Sequence, residues 1–245
     1  MEIKLTDRQK KILDIVVKEY VDSAQPVSSQ LLEKKHNFGV SPATLRAEMQ
    51  KLTDKGFLLQ PHTSAGRIPT DKGYRFFVND LLKETSPAAS QSGGQGKNTL
   101  EMKNWEGEKS DDVFRFIQNL TRQLAEETRA LALNYLDGED MFWKEGWEEV
   151  LKEPEFSDQE NILNFTELLK DFEGNIEKLE KNPGVNIYIG KENPLPKAKN
   201  FSVISSHYRL PNGKEGFISI LGPKRMAYEK NIDLINSLMR LFDNF

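Results

Sequence analysis

The chain has no cysteine and only three histidines among 245 residues. Disulfide frameworks, thiol nucleophiles and thiolate metal sites are therefore excluded. His36, His62 and His207 are too scattered to make the HxxxH pair of a metalloprotease, and neither a GxSxG elbow nor a Walker-type glycine loop occurs. No run of eighteen apolar residues is present, and the opening MEIKLTDRQK lacks the apolar core of a signal peptide. A cytoplasmic protein with no membrane span, no metal, no cofactor and no enzymatic activity is the expectation. Neighbouring acids such as Asp111 with Asp112, or Glu126 with Glu127, read as solvated helix faces rather than as paired catalytic carboxylates.

What is present is an uneven distribution of charge. Lys and Arg number 34 against 38 Asp and Glu, a net charge of −4, which by itself speaks against nucleic acid. Residues 1–82, however, hold 13 basic against 10 acidic residues, and the remainder 21 against 28. The basic part can approach a polyanion while the acidic part stays off it.

The basic part contains the most ordered signal in the chain, Ser41 to Gly73. Ser41 is a good helix N-cap, Pro42 suits the first helical position, and Gly56 supplies a left-handed stop. Leu45, Met49 and Leu52 form one apolar stripe, which leaves Ala43, Thr44, Arg46, Ala47 and Gln50 on other faces. Phe57 to Leu59 then read as a strand, and Pro61 to Arg67 as a polar, glycine-bearing turn before a returning strand. That order is a recognition helix followed by a wing. Arg46 and Gln50 can make bidentate contacts to base edges, and Ser41 and Thr44 can bond a phosphate or a base. Arg67, expected at the tip of the turn, is placed to reach a minor groove or the backbone. The expected DNA-binding set is thus Ser41, Thr44, Arg46, Ala47 and Gln50 from the helix, with His62, Ser64, Gly66 and Arg67 from the turn. A basic hairpin beside a helix also occurs as plain solvated surface, but cap, stripe, turn and charge agree here in one compact segment.

Thr6 with Gln9 forms a capping box opening a first helix, and Ser28 or Ser29 caps a second. Thr70 caps a fourth, whose Tyr74, Phe77, Val78 and Leu81 are assigned to packing. The segments LTDRQKKIL, PVSS, SPATLRAEM and above all QPHTSAGRIPTDKGYRFFVN, at Gln60 to Asn79, resemble the amino-terminal domain of the heat-inducible transcription repressor HrcA family. PEF at Pro154, NIYIGKEN at Asn186 and LGPKRMAY at Leu221 resemble its carboxy-terminal region. The resemblance implies a repressor of the groEL and dnaK chaperone operons that binds an inverted-repeat operator, CIRCE, as a dimer, with the chaperonin GroEL as a partner that keeps it active. Where the family commonly has an Asn-Asp pair, this chain has Ala47 and Glu48.

The expected architecture is α+β: a winged helix-turn-helix domain over 1–82, a flexible linker over 83–110 rich in Ser, Gly and Gln, and a C-terminal α+β domain over 111–245. An amphipathic helix from Asp111 carries Val113, Phe114, Phe116, Ile117, Leu120, Leu124 and Leu131, with further helices near Phe142–Leu151 and Asp158–Glu180. Val185–Ile189, Phe201–Arg209 and Glu215–Leu221 read as three antiparallel strands with LPNGKEG as a turn, and Pro223–Leu241 as a closing helix. By resemblance this region is a reduced GAF-like domain without the family's inserted dimerisation segment. Either the chain dimerises through another surface of this domain or it is monomeric. Glu192, Asn193, Arg225 and Tyr228 are the polar groups to watch outside the head, read as caps and buried salt links. A regulator in which the second domain senses a small ligand, and a winged helix used for protein docking, are the other readings.

Overall fold

The computed structural model describes residues 4–84, 110–138, 141–175, 184–210 and 212–243. Its contacts group into two compact units, Met1–Gly93 and Gly94–Phe245. The expected linker falls almost wholly outside the described residues; Glu84 ends one helix and Ser110 begins another.

The first unit runs α1 (Asp7–Ser23), α2 (Ser29–Lys35), α3 (Pro42–Asp54), β1 (Leu58–Leu59), β2 (Ile68–Pro69) and α4 (Asp71–Glu84). Local chemistry marks most of these boundaries. Thr6 and Gln9 close the capping box on α1, and Ser28 accepts the Leu31 N–H at 3.1 Å to open α2. At the end of α3, Gly56 takes φ +76°, and the Gly56 and Phe57 amides donate to the Thr53 and Leu52 carbonyls at 2.9 Å. These two bonds are the Schellman pattern that a left-handed glycine permits. Ile12, Leu13, Val16, Leu32, Leu45, Leu52, Leu58 and Val78 are fully buried and join all four helices to β1.

Two carboxylates tie the helices together across long sequence separations. Glu19 on α1 accepts Lys35 Nζ at 2.7 Å and pairs with His36 Nε2 at 3.0 Å, fixing the end of α2. Glu48 on α3 accepts Gln9 Nε2 at 2.9 Å and Lys51 Nζ at 2.8 Å, fixing α3 to α1. The hydrogen bond from Lys35, then that from His36, holds the Glu19 carboxyl below its usual range. Lys51, then Gln9, does the same for Glu48.

The second unit is a five-stranded antiparallel sheet in the order β4-β3-β7-β6-β5 with helices on both faces. In chain order it runs α5 (Ser110–Thr128), β3 (Leu131–Leu136), β4 (Met141–Glu145), α6 (Trp147–Val150), α7 (Gln159–Gly174), β5 (Asn186–Ile189), β6 (Phe201–Arg209), β7 (Glu215–Pro223) and α8 (Tyr228–Asp243). Alternation along the strands sorts side chains between two cores. Leu131, Leu133, Phe201, Val203, Phe217 and Leu221 meet Phe165, Leu168 and Phe172 of α7 on one face. On the other, Tyr208 stacks on Phe242 of α8 at 4.6 Å and donates its hydroxyl to Asn134 Oδ1 at 2.6 Å. A Cβ on Gly216 would sit 2.3 Å from the Tyr208 ring, so glycine there makes room for the tyrosine. Burial pushes the Tyr208 phenol well above its ordinary value, leaving it a neutral donor.

The sheet has two strands more than expected. Leu131, placed in the opening helix by periodicity, begins β3 instead, because α5 stops where Arg129 adopts φ +52°. The helix expected from Phe142 is β4 followed by the single turn of α6. Asp137-Gly138, with Gly138 at φ +82°, follows β3 and carries the dipeptide signal of the hairpin that pairs β3 with β4. β6 occupies the expected Phe201–Arg209, while α8 begins only at Tyr228 because Pro223 still belongs to β7. The expected helix over 158–180 is described as far as Gly174, and 176–183 lie outside the described residues. No described helix is long and apolar enough to cross a membrane.

Because both carboxyl pKa values are depressed on folding, their stabilisation is complete above the ordinary value of 4.5 and is lost as pH falls through the lower folded values. Amide-exchange protection at α1 and α3, corrected for intrinsic rates, is expected to drop over that acid window, and Glu19→Gln or Glu48→Gln to flatten the drop.

Candidate nucleic-acid interface

The outward side of α3 is set by what its inward side must do. Leu45, Met49 and Leu52 are buried, and Glu48 is turned onto α1, so Ser41, Arg46, Ala47 and Gln50 remain exposed and Thr44 partly so. Ser41 caps the helix through the Thr44 N–H at 3.3 Å and also meets the Thr44 hydroxyl at 3.1 Å. Arg46 forms no side-chain hydrogen bond or ion pair among the described residues, so its five donors are available to an outside acceptor.

The hairpin between β1 and β2 is held at three places. Its strands pair Leu58 with Pro69 and Leu59 with Ile68. At the far end, Gln60 Nε2 donates to the Thr63 and Ala65 carbonyls at 2.8 and 3.0 Å, and Ala65 N donates to His62 O at 2.9 Å, closing the turn on itself. His62, Thr63 and Ser64 are exposed there, His62 Nδ1 lying 3.2 Å from Ser64 Oγ. On the returning limb, the Arg67 and Val27 backbones exchange hydrogen bonds of 2.8 and 2.9 Å, an isolated antiparallel bridge to the segment before α2. A Cβ at Gly66 would lie 2.4 Å from the Val27 carbonyl carbon and oxygen, so the bridge requires a glycine.

Arg67 is therefore not at the tip. The bridge draws it to the base of the turn, where Nη2 donates to Gln50 Oε1 at 2.8 Å and Nε to Thr53 Oγ1 at 3.1 Å. Gln50 Nε2 in turn donates to Asp54 Oδ1 at 2.8 Å. A notch of about 410 Å³ lies between the start of α2, α3 and the hairpin, lined among others by Ser28, Ser29, Arg46, Gln60, Ser64 and Arg67. The nine residues singled out in the sequence all fall on α3 or this hairpin. Gln60, Thr53 and Val27 were missed; their roles depend on partners the chain brings in only on folding, and only Gln60, beside a glycine-bearing turn, offered a local hint.

The polar groups watched in the second unit are occupied structurally. Arg225, 8% exposed at its side chain, pairs with Glu153 at 2.5 Å and Glu155 at 2.8 Å. Glu192 accepts the Ile189 N–H at 3.2 Å, and the Tyr228 hydroxyl meets Ser202 Oγ and Lys224 O at 2.7 Å. Asn193 is buried. Among the described residues no cluster of three or more His, Asp or Glu is arranged to hold a metal.

A family model described as the HrcA protein C terminal domain matches residues 80–232. The chain belongs to the HrcA family. It is 30% identical to the heat-inducible transcription repressor HrcA of Thermoanaerobacter pseudethanolicus, across 98% of this chain and 96% of that one. The repressor of the same name from Natranaerobius thermophilus is 28% identical, with 95% and 94% covered. The first alignment is 332 positions long against a chain of 245 residues, so the relative carries residues with no counterpart here. A crystal structure described only as a hypothetical protein shares the fold, with a TM-score of 0.82 and 22% identity over 98% of each chain.

Gly66→Ala is expected to overpack the bridge and destabilise the first unit by about 1–3 kcal/mol. Faster tryptic cleavage after Arg67 than in the wild type, at matched temperature, is the measurement that checks it.

Proposed function

We propose that the chain is a heat-inducible transcription repressor that grips duplex DNA with its first unit, built as a winged helix-turn-helix. In this reading α3 lies in the major groove and the β1–β2 hairpin is the wing. Family membership supplies the class of activity. The observation that carries the mechanism is the exposed row Ser41, Arg46, Ala47 and Gln50 on α3, bordered by the turn that presents His62, Ser64 and Gly66.

The chemistry of each position follows from its surroundings. Arg46 has a fork of donors matched to guanine O6 and N7 or to a phosphate. Ser41 and Thr44, at the positive end of the α3 dipole, suit a phosphate oxygen. Ala47 offers a methyl surface for a thymine methyl. His62 and Ser64 reach the sugar-phosphate backbone from a turn stiffened by Gln60, and Gly66 lets the hairpin seat on Val27. One such module covers few base pairs, so specificity calls for a homodimer on an inverted repeat of the CIRCE type. The second unit, with its antiparallel sheet between α5 and α8 on one side and α7 on the other, serves as a reduced GAF-like domain for regulation and dimerisation.

Fluorescence anisotropy of a labelled duplex carrying the inverted repeat, against a scrambled duplex at two salt concentrations, tests the reading. Preference for the repeat is expected in the wild type. Arg46→Ala should weaken binding to the repeat by about tenfold or more while weakening the scrambled duplex less. Equal affinities of the wild type for both duplexes would refute sequence-specific repression.

A further inference from the structure

Gln50 is the only exposed side chain of α3 whose amide is held at both ends by charged groups. Its Oε1 accepts from the Arg67 guanidinium at 2.8 Å, and its Nε2 donates to the Asp54 carboxylate at 2.8 Å. An amide flip would put NH2 against the guanidinium and the carbonyl against the carboxylate, exchanging two charge-assisted hydrogen bonds for two repulsive contacts. Arg67 is itself anchored, by its second bond to Thr53 at 3.1 Å and by the backbone bridge to Val27. The orientation of the Gln50 amide is thus set by the wing.

A glutamine free to flip is a permissive reader. Its NH2 can donate to guanine N7 or O6, and its carbonyl can accept from cytosine N4 or adenine N6. Once oriented, with one lone pair of Oε1 and one hydrogen of Nε2 already used, it retains one acceptor and one donor in fixed order. That is the pattern complementary to adenine N6–H and N7. Resting on the DNA reading of α3, we propose that Gln50 reads one adenine and that Arg67 and Asp54 are positioning residues that make it do so. Arg67 then acts on specificity through Gln50, rather than on affinity through a phosphate.

The test is selection of bound duplexes from a random pool by the full chain, followed by sequencing, with the salt dependence of binding measured for each variant. The wild type is expected to prefer adenine at one position of each half-site by about tenfold. Gln50→Ala should erase that preference alone. Gln50→Glu, which has acceptors but no donor, should move it towards cytosine. Asp54→Asn leaves the Arg67 guanidinium to orient the amide, so alone it should narrow the adenine preference without abolishing it, and only together with Arg67→Ala should it admit guanine at the same position. Arg67→Ala should relax that position with an unchanged salt slope, and combining it with Gln50→Ala should add nothing further there. Uniform weakening by Arg67→Ala, with the salt slope reduced by about one, would overturn the proposal in favour of a phosphate contact. So would a Gln50→Ala profile identical to the wild type; the Gln50 and Asp54 variants lie on an exposed surface and keep the test valid if Arg67→Ala unfolds. A wild type that enriches no sequence at all would instead refute the DNA reading on which this rests.

Discussion

The antiparallel bridge between Val27 and Arg67 is the constraint on which the candidate interface depends. Two backbone hydrogen bonds fasten the hairpin's returning limb to the segment that leads into α2. Glycine at 66 is what allows the backbones to approach, and Arg67 is what the bridge then delivers to α3. Three separate parts of the first unit, the α1–α2 connection, the exposed helix and the hairpin, are thereby held in one frame by contacts that cost few residues. Pre-organisation of this kind limits the ordering cost that a binding surface made of loops would otherwise incur.

The legibility of this arrangement in the sequence follows the range of the interactions. Ser41, Pro42, Gly56 and the Leu45-Met49-Leu52 stripe act within a turn or two of helix, and their consequences could be read directly. The Gln9–Glu48 bond spans 39 positions, and nothing local distinguishes Glu48 from an exposed helical acid. Its inward orientation also changes the meaning of the Ala47-Glu48 pair, since only Ala47 faces outward. Arg67 shows the same limit in another form. Counting along the turn puts it at the tip, whereas pairing with Val27 pulls it to the base.

In the second unit, strands with a clear alternation and a Gly-bearing turn between them, β6 and β7, stood out. β3 and β4 did not, because LALNYL continues the leucine spacing of α5 without a break, and only the left-handed Arg129 ends the helix. The strong hairpin dipeptide Asp137-Gly138 outweighs that helical period in the folded chain. The α+β class is thus sound, with a wider sheet than periodicity suggested. Arg225, expected to form a buried salt link, does so, but its two partners, Glu153 and Glu155, come from 70 and more positions earlier and could not be named from the sequence; the pairing makes a strut between the segment after β7 and the 3-10 turn at Pro154–Ser157.

The division of labour along α3 has a consequence for changing what this protein recognises. Leu45, Glu48, Met49 and Leu52 carry the fold and Ser41 caps the helix, while Arg46 and Ala47 carry no contact that the fold needs. The two sets interleave without sharing a residue, so the outward alphabet of the helix can be rewritten as a library while its scaffold is left untouched. Gln50 is the exception: because it is wired to the hairpin, any new letter there has to be chosen together with residue 67.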